Sequence, residues 1–564
     1  MSPSFDERRE NFGSAAGSDF TRRDFLKGSV AAGVVAGGSL GAFYFGYGQA
    51  TGSPVRVGIL GTGDQGGVLI GAINPAYLQI KAIADIRPYS VYRAFHGDHS
   101  SPENAVARPG LLTKFGWHSQ QQARRHVKVY DDQHGGYEGL INNARSDGIE
   151  AVIIALPLHL HAPAVTAAMK AGLHVFTEPL MARTVLECKE LARTARDTGR
   201  YLAVGYQRQY NILYADAIDA IRRGTLGQVH YVRAQYHRGS LPGQDPWAPP
   251  LPAKVKPDDS LAQALAKDLA DYQGRLAKAQ TAKELELWSM LIAQKKAQMA
   301  DEILKDKAKD FGYSDQQIKD ASGKPYDRPA LEELIRWRLW ERTGGGLMAE
   351  LGSQQLDVAT SFIAAAHGGR PQYPLNVSAA ANRAVFSSDR DVEDHVFCIL
   401  EYPAPGFDPK DPIAGRKKIG VQYASIGGNG FGGYGEIIYG SRGTYILERE
   451  QEWSIARTGG VSTVKATAAG SGPTLSTQAS VSAAATKTKE AVSLGFTEEL
   501  EHWAWCIRHP AAENQPRCGP AEAVAAAVIA LTAKQAARQG QRKDFHKEWF
   551  DIQNDATPES PEGA

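Results

Sequence analysis

Cysteine is scarce. The 564 residues hold four, Cys188, Cys398, Cys506 and Cys518, and no two of them form a Cys-x-x-Cys pair. That spacing excludes a grouped zinc site, and no metal is expected. A core of this size needs no staple, so buried thiols are expected, with a Cys506–Cys518 disulfide as the alternative. Charge of one sign is lacking too. Lys+Arg number 63 and Asp+Glu 62, a formal net charge of +1. A polyanion-binding surface is excluded by that balance, and nucleic acid with it as a partner. What is present is 43% hydrophobic and 22% charged residues, the proportions of a globular protein. The length calls for two or three domains.

Long apolar runs are rare, and the one near the N-terminus, 28–47, is diluted by glycine and alanine. It barely reaches the length of a membrane span. Ahead of it stand Arg22, Arg23, Asp24, Phe25, Leu26 and Lys27. Paired arginines, two hydrophobic residues and a lysine before a mild apolar run have the layout of a twin-arginine export signal. Residues 1–50 are therefore expected to be a signal or anchor, with Gly48, Gln49 and Ala50 as a small-residue cleavage site. The expected location is the periplasm or the outer face of the cytoplasmic membrane, touching the bilayer only through this segment.

Residues 55–60 read as a short buried strand that runs into Gly61, Thr62, Gly63, Asp64, Gln65 and Gly66, with a helix starting near Val68. In a Gly-x-Gly-x-x-Gly turn the first glycine makes the bend, the second lets a pyrophosphate approach the backbone, and the third lets helix pack on strand. The helix N-terminus adds free N–H groups for the phosphates. A second strand, 79–84, ends at Asp85, about 20 residues past the glycines, where an acid binds the ribose 2′-hydroxyl. Asp85 favours NAD. Arg87, two positions on, leaves NADP open.

Strand and helix then alternate. Residues 151–156 form an apolar strand, 162–171 a helix closed by Gly172, 174–176 a strand, 184–198 a helix and 201–204 a strand. Alternation of this kind makes a doubly wound parallel sheet with ligands beyond the carboxyl ends of its strands. Leu156, Pro157, His161, Glu178, Gln207 and Arg208 fall at those ends.

The fold class that follows is α/β: an N-terminal Rossmann domain over 51–210, then an α+β domain over 211–545 with an open, mostly antiparallel sheet, then a tail, 546–564. Strands are expected at 229–236, 382–386, 395–402, 418–425 and 436–439. Residues 254–338 read as a helical insertion, with helical periodicity over 261–297. The Ala/Ser/Thr-rich stretch 463–488 reads as a mobile loop.

The order of GILGTGDQGG, IALPLHLHAPAVTAAMKAGLHV, FTEPLMA, VGYQRQY, GGGLMAELGSQQLD and CGPAEAVAAAVIALTAKQAA resembles the Gfo/Idh/MocA family of glucose–fructose oxidoreductase and inositol dehydrogenase, in an exported branch. The resemblance implies NAD, hydride transfer at a carbohydrate, sugar-acid or cyclitol hydroxyl, and a homo-oligomer. It also implies a Lys/Asp/His relay, and here the sequence departs. Pro179 stands at the lysine position, and Glu350 and Gln354 stand at the acid and histidine positions, four apart on one helical face. Glutamine orients a hydroxyl without taking its proton. Glu350 is thus the expected base, with Gln354, Arg208 and His161 holding the substrate. His237, Arg238, Trp247 and His395 are further substrate candidates, Trp247 as a sugar platform. Two other functions stay open: a redox-neutral lyase or glycosidase with tightly held NAD, and a nucleotide- or sugar-binding protein without chemistry.

Overall fold

The computed structural model describes residues 45–252, 260–319, 324–386, 389–450, 452–457, 460–465 and 494–559. The twin-arginine string and residues 466–488 lie outside these ranges.

Six parallel strands form the first sheet: β1 (Val55–Leu60), β2 (Leu78–Ala84), β3 (Lys128–Tyr130), β4 (Ala151–Ile154), β5 (His174–Thr177) and β6 (Leu202–Val204). Their spatial order is β3-β2-β1-β4-β5-β6, the doubly wound order whose reversal between β1 and β4 opens a crevice at the strand ends. Both faces are covered, so the strands are apolar throughout. In β4 every residue is buried. Four helices of this layer matter for the site: α1 (Asp64–Ala72), α2 (Pro88–His96), α3 (His161–Lys170) and α4 (Val185–Thr198). Local chemistry fixes α4 closely. The Thr184 hydroxyl accepts the Glu187 N–H (3.2 Å), Glu187 accepts the Thr184 N–H (3.0 Å), and Gly199 ends the helix at φ 63°. This is a capping box followed by a left-handed glycine stop.

After α5 (Ile212–Arg222) the chain enters the second layer through β7 (Val229–His237). An insertion follows: α6 (Ser260–Leu276), α7 (Ala282–Ala300) and the hairpin β8 (Gln316–Lys319) and β9 (Pro325–Arg328). The insertion is thus helical only in part. Next come α8 (Ser353–Ala366), β10 (Asn376–Asn382), β11 (His395–Pro403), β12 (Lys418–Ile426), β13 (Tyr434–Gly440), β14 (Gly443–Glu448), β15 (Glu452–Arg457) and β16 (Gly460–Lys465). Two helices, α9 (Phe496–Arg508) and α10 (Pro520–Gln539), and the short β17 (Lys543–Asp544) complete it. The nine strands run β16-β15-β14-β13-β7-β12-β11-β10-β17. Only β7 and β12 pair in parallel; the other neighbours are antiparallel.

Some sequence expectations shift. The strand placed at 382–386 lies at Asn376–Asn382 instead. Its central alanines give little strand propensity, but two of them, Ala379 and Ala381, face the core where α10 packs on β10. Residues 463–465 belong to β16 rather than to a loop. All four cysteines are buried free thiols, so Cys506 and Cys518 form no disulfide. The signal boundary expected at residue 50 falls within packed chain. Phe45 and Tyr47 are buried, Tyr47 stacks on His502 at 5.3 Å, and its hydroxyl donates to Glu501 (2.6 Å).

The two layers share their core. Along α10, Val524, Ala527 and Val528 pack into the first layer, while Ile529, Ala533 and Ala536 pack into the second. A polar clamp reinforces the union. The fully buried Lys189 of α4 donates to the carbonyls of Glu548 (2.9 Å), Asn554 (2.8 Å) and Ala556 (2.7 Å). Residues 546–556, expected as a tail, are therefore bound to the first layer.

Candidate active site

A cavity of about 710 Å³ lies at the carboxyl ends of β1, β2, β4 and β5, between the two layers. One end is the glycine turn. Gly61 has φ +86°, and a Cβ there would sit 2.4 Å from the Ala155 carbonyl oxygen. A Cβ at Gly66 would sit 2.1 Å from the Gly61 carbonyl oxygen, which shows how closely α1 approaches the strand. Gly63 is different: a Cβ there would meet nothing within 4 Å. The free space over Gly63 is the cradle a pyrophosphate needs, so the turn fits a dinucleotide. Thr62 points away from the cavity. Its N–H (2.8 Å) and hydroxyl (3.3 Å) donate to Asp85 Oδ2, and Asp85 Oδ1 accepts the Arg87 N–H (2.9 Å). Asp85 thereby braces the turn while facing the cavity.

Three arginines, Arg93, Arg108 and Arg338, line the cavity with the glycine turn. Arg93 Nη1 lies 2.7 Å from Asp64 and 3.1 Å from Asp98, and Arg108 lies 3.1 Å from Asp98. Arg338 Nε donates to Glu350 Oε2 at 2.9 Å, and Arg338 Nη1 is 4.0 Å from Asp64. One guanidinium therefore joins the glycine turn to the substrate side. None of these arginines carried a sequence signal, because each reaches the site by tertiary packing.

Towards the second layer the lining becomes aromatic and polar, with Tyr236, Arg238, Trp247, Trp337, Glu350 and Gln354. Arg238 sits 5.0 Å above the Trp247 ring. Glu350 lies in a π-helical turn, Met348–Gly352, that leads into α8 carrying Gln354. The wider turn is a common device for placing functional side chains.

Glu178, directly after β5, faces the cavity beside Pro179. Its Oε1 is sealed from solvent and has no hydrogen-bond partner. Burial raises its pKa to about 8, against a hydrogen bond from Gln65 and with help from the nearby Glu350 charge. Behind it lies Glu499 of α9, also buried, with neither carboxyl oxygen bonded. Burial, then the Glu178 charge, push Glu499 well above the carboxylate range.

Other expected residues are placed differently. His161 lines the cavity with Leu156 and Pro157, but its Nδ1 faces the Leu180 carbonyl (2.7 Å) and its Nε2 the Leu156 carbonyl (2.8 Å). It ties the turn after β4 to the turn after β5 and leaves no nitrogen for a substrate. Gln207 and Arg208 are buried outside the lining. Arg208 bonds Gln354 Oε1 (2.7 Å) and pairs with Glu450 (2.6 Å), so it reaches the cavity only through Gln354. His237 and His395 do not line the cavity either. They lie one strand apart on either side of Ile426, and His395 bonds Asp394 at 2.5 Å.

A glycine turn at the switch point of a doubly wound sheet, an acid at the end of β2 and an open cradle over the second glycine define a dinucleotide-binding oxidoreductase fold. Residues 55–206 match the GFO_IDH_MocA model, described as an oxidoreductase family with an NAD-binding Rossmann fold. The chain carries a Gfo/Idh/MocA-family NAD-binding domain, joined to a second domain with a mixed, mostly antiparallel sheet. It is similar to a glycosyl hydrolase family 109 protein of Solibacter usitatus (strain Ellin6076), 28% identical over 223 residues, which are 38% of this chain and 46% of that protein. An alpha-N-acetylgalactosaminidase of Shewanella oneidensis is 27% identical over 183 residues, 32% of this chain and 35% of its own length. The chain thus spans less than half the length of these curated relatives. Among solved structures, an inositol dehydrogenase homolog complexed with NAD+ from Azotobacter vinelandii aligns with TM-score 0.52 at 15% identity, covering 87% of this chain and 98% of that one. An oxidoreductase domain protein from Kribbella flavida gives 0.51 at 14% identity, covering 88% and 100%. Both show the fold.

Proposed function

We propose that the protein is an NAD-dependent oxidoreductase acting on a hydroxyl of a carbohydrate, sugar acid or cyclitol. The observation that carries this reading is an unlike carboxyl pair in the NAD cleft: Glu178, with one sealed, unbonded oxygen, and Glu350, in an ion pair with Arg338. Environments that separate two carboxyl groups in this way assign one as acid and the other as base. NAD, when bound, supplies a hydride acceptor, and in a redox-neutral cycle it returns the hydride. Glu350 takes the hydroxyl proton, with Arg338 fixing its position. Gln354, held by Arg208, orients the hydroxyl. Burial favours the neutral form of Glu178. The oxidation consumes no acid, so Glu178 acts there as a hydrogen-bond donor, and its proton is available to a leaving group in an elimination. Trp247, Trp337 and Tyr236 line the substrate side, each with one ring face already covered, by Arg238, Arg338 and Tyr434, and Arg238 offers donors for sugar hydroxyls.

A second reading is a redox-neutral lyase or glycosidase. The same pair favours it, since elimination needs an acid at the leaving group and a base at carbon, and the names of the two curated relatives agree with it. Export is part of the proposal, supported by Arg22, Arg23, Phe25, Leu26 and Lys27. A homo-oligomer is too, supported by Phe397 and Ile399, which are exposed on the outer face of β11. The test is to incubate the NAD-loaded full chain with polyols, aldoses and glycosides. Ketone formation with matching NADH supports the first reading. Glycoside cleavage without net NADH supports the second. NAD retained with neither product would leave a binding protein.

A further inference from the structure

The insertion after β7 reaches back to the first layer, and one of its side chains ends beside the coenzyme cleft. Asp301, directly after α7, is fully buried. Its Oδ2 accepts Nε (2.9 Å) and pairs with Nη2 (2.8 Å) of Arg87, and its Oδ1 accepts the Tyr89 N–H (3.0 Å). The docking is anchored on a second side chain as well. Gln294 of α7 accepts the His99 N–H (2.9 Å) and donates to Asp98 (2.9 Å). Gln298, Phe311 and Tyr313 of the insertion line the cavity together with Asp85 and Arg87.

Arg87 stands two residues after the acid of β2, where a guanidinium can accept the 2′-phosphate of NADP. In this chain one donor edge of Arg87, Nε with Nη2, is taken by Asp301, and two carboxylates, Asp85 and Asp301, lie beside one guanidinium. A 2′-phosphate would add negative charge beside Asp85 and Asp301, where Arg87 is already matched by Asp301 and the neighbouring Arg93 by Asp64 and Asp98. A free 2′-hydroxyl adds none and can donate to Asp85. We infer that Asp301 is a positioning residue for coenzyme selectivity: by holding Arg87 it makes the cleft accept NAD and reject NADP. The insertion is then a wall of the coenzyme site, not only a packing element. This inference rests on the dinucleotide occupying the cleft described above.

The test is calorimetric titration of the nucleotide-stripped full chain with NAD+ and with NADP+, for the wild type, Asp301→Asn, Arg87→Leu and the double variant. Asparagine keeps an acceptor for the Tyr89 N–H and removes the charge. The wild type is expected to bind NAD+ at least about a hundredfold more tightly. Asp301→Asn is expected to cut that ratio by about tenfold or more through tighter NADP+ binding, and the gain is expected to vanish when Arg87 is also replaced. An unchanged ratio in folded Asp301→Asn overturns the inference. So does a wild type that binds NADP+ within about tenfold of NAD+, a measurement that needs no variant. Binding of neither coenzyme overturns instead the reading on which the inference stands.

Discussion

Replacing Glu178 by glutamine tests the electrostatics of the cleft through stability rather than turnover. The folded chain raises this carboxyl from 4.5 to about 8, first by burial and then by the Glu350 charge. Between those values the folded chain keeps a proton that the unfolded chain has released. Stability therefore falls as pH rises across the window, by about 1.4 kcal/mol per pH unit from this group. The loss reaches roughly 3 kcal/mol near pH 7 and levels off above about pH 8. Glutamine has the same shape and no proton to lose, so Glu178→Gln removes the slope. Glu499 is raised in part by the Glu178 charge, so its own titration relaxes in the variant and adds to the difference with the same sign. The assay is urea unfolding of both proteins followed by circular dichroism at several pH values from about 5 to about 8.5, a range set by the two pKa values. The stability advantage of the variant is expected to grow by about 3–4 kcal/mol from the acid to the alkaline end. A difference that stays flat with pH would refute the account of a carboxyl kept protonated by its surroundings.

Four further substitutions have defined outcomes. Gly61→Ala is expected to lower stability by about 2 kcal/mol or more, because of its φ of +86° and the 2.4 Å approach to Ala155; Gly63→Ala is expected to keep the wild-type Tm and lose about tenfold or more in NAD affinity, as thermal melts and calorimetry will show. Arg338→Ala leaves Glu350 without its ion-pair partner while Asp64 keeps Arg93, and it is expected to weaken coenzyme binding by about 2 kcal/mol; unchanged affinity would remove Arg338 from the site. Lys189→Met leaves the Glu548 and Ala556 carbonyls without their donor, the Asn554 carbonyl keeping Arg193 (3.3 Å), and is expected to cost about 3 kcal/mol, with residues 546–559 becoming sensitive to limited proteolysis; a resistant segment would show that the clamp contributes little.

The glycine turn, Asp85 and the alternating strands were legible because local sequence dictates them: a glycine that must take positive φ, apolar runs buried on both faces, and an acid at a strand end. β10 was misplaced since its alanines are chosen for the helix above them. The two helices of the insertion could be read from periodicity, and Thr281 with Glu284 caps α7 as a box. Their docking could not be read. Arg87 meets Asp301 across 214 positions, and no local pattern encodes such a pairing. Arg338 and the sealed oxygen of Glu178 are the same kind of fact: residue types are visible in sequence, but desolvation and partners are set by the whole fold. Arg208 and His161 show the converse. Both follow strands at whose ends ligands gather, and both turn their bonded polar atoms to the protein itself: His161 to two carbonyls, Arg208 to Gln354 and Glu450.

The grip of Lys189 on carbonyls 359, 365 and 367 positions downstream has a temporal meaning. A ribosome making this chain releases α4 long before it makes the acceptors that its ammonium needs. The first layer cannot complete these bonds until the last acceptor is made, and a fragment cut near residue 210 would turn the Lys189 ammonium out to water in place of three carbonyls. Maturation of the front of the molecule is thus timed by the arrival of its rear.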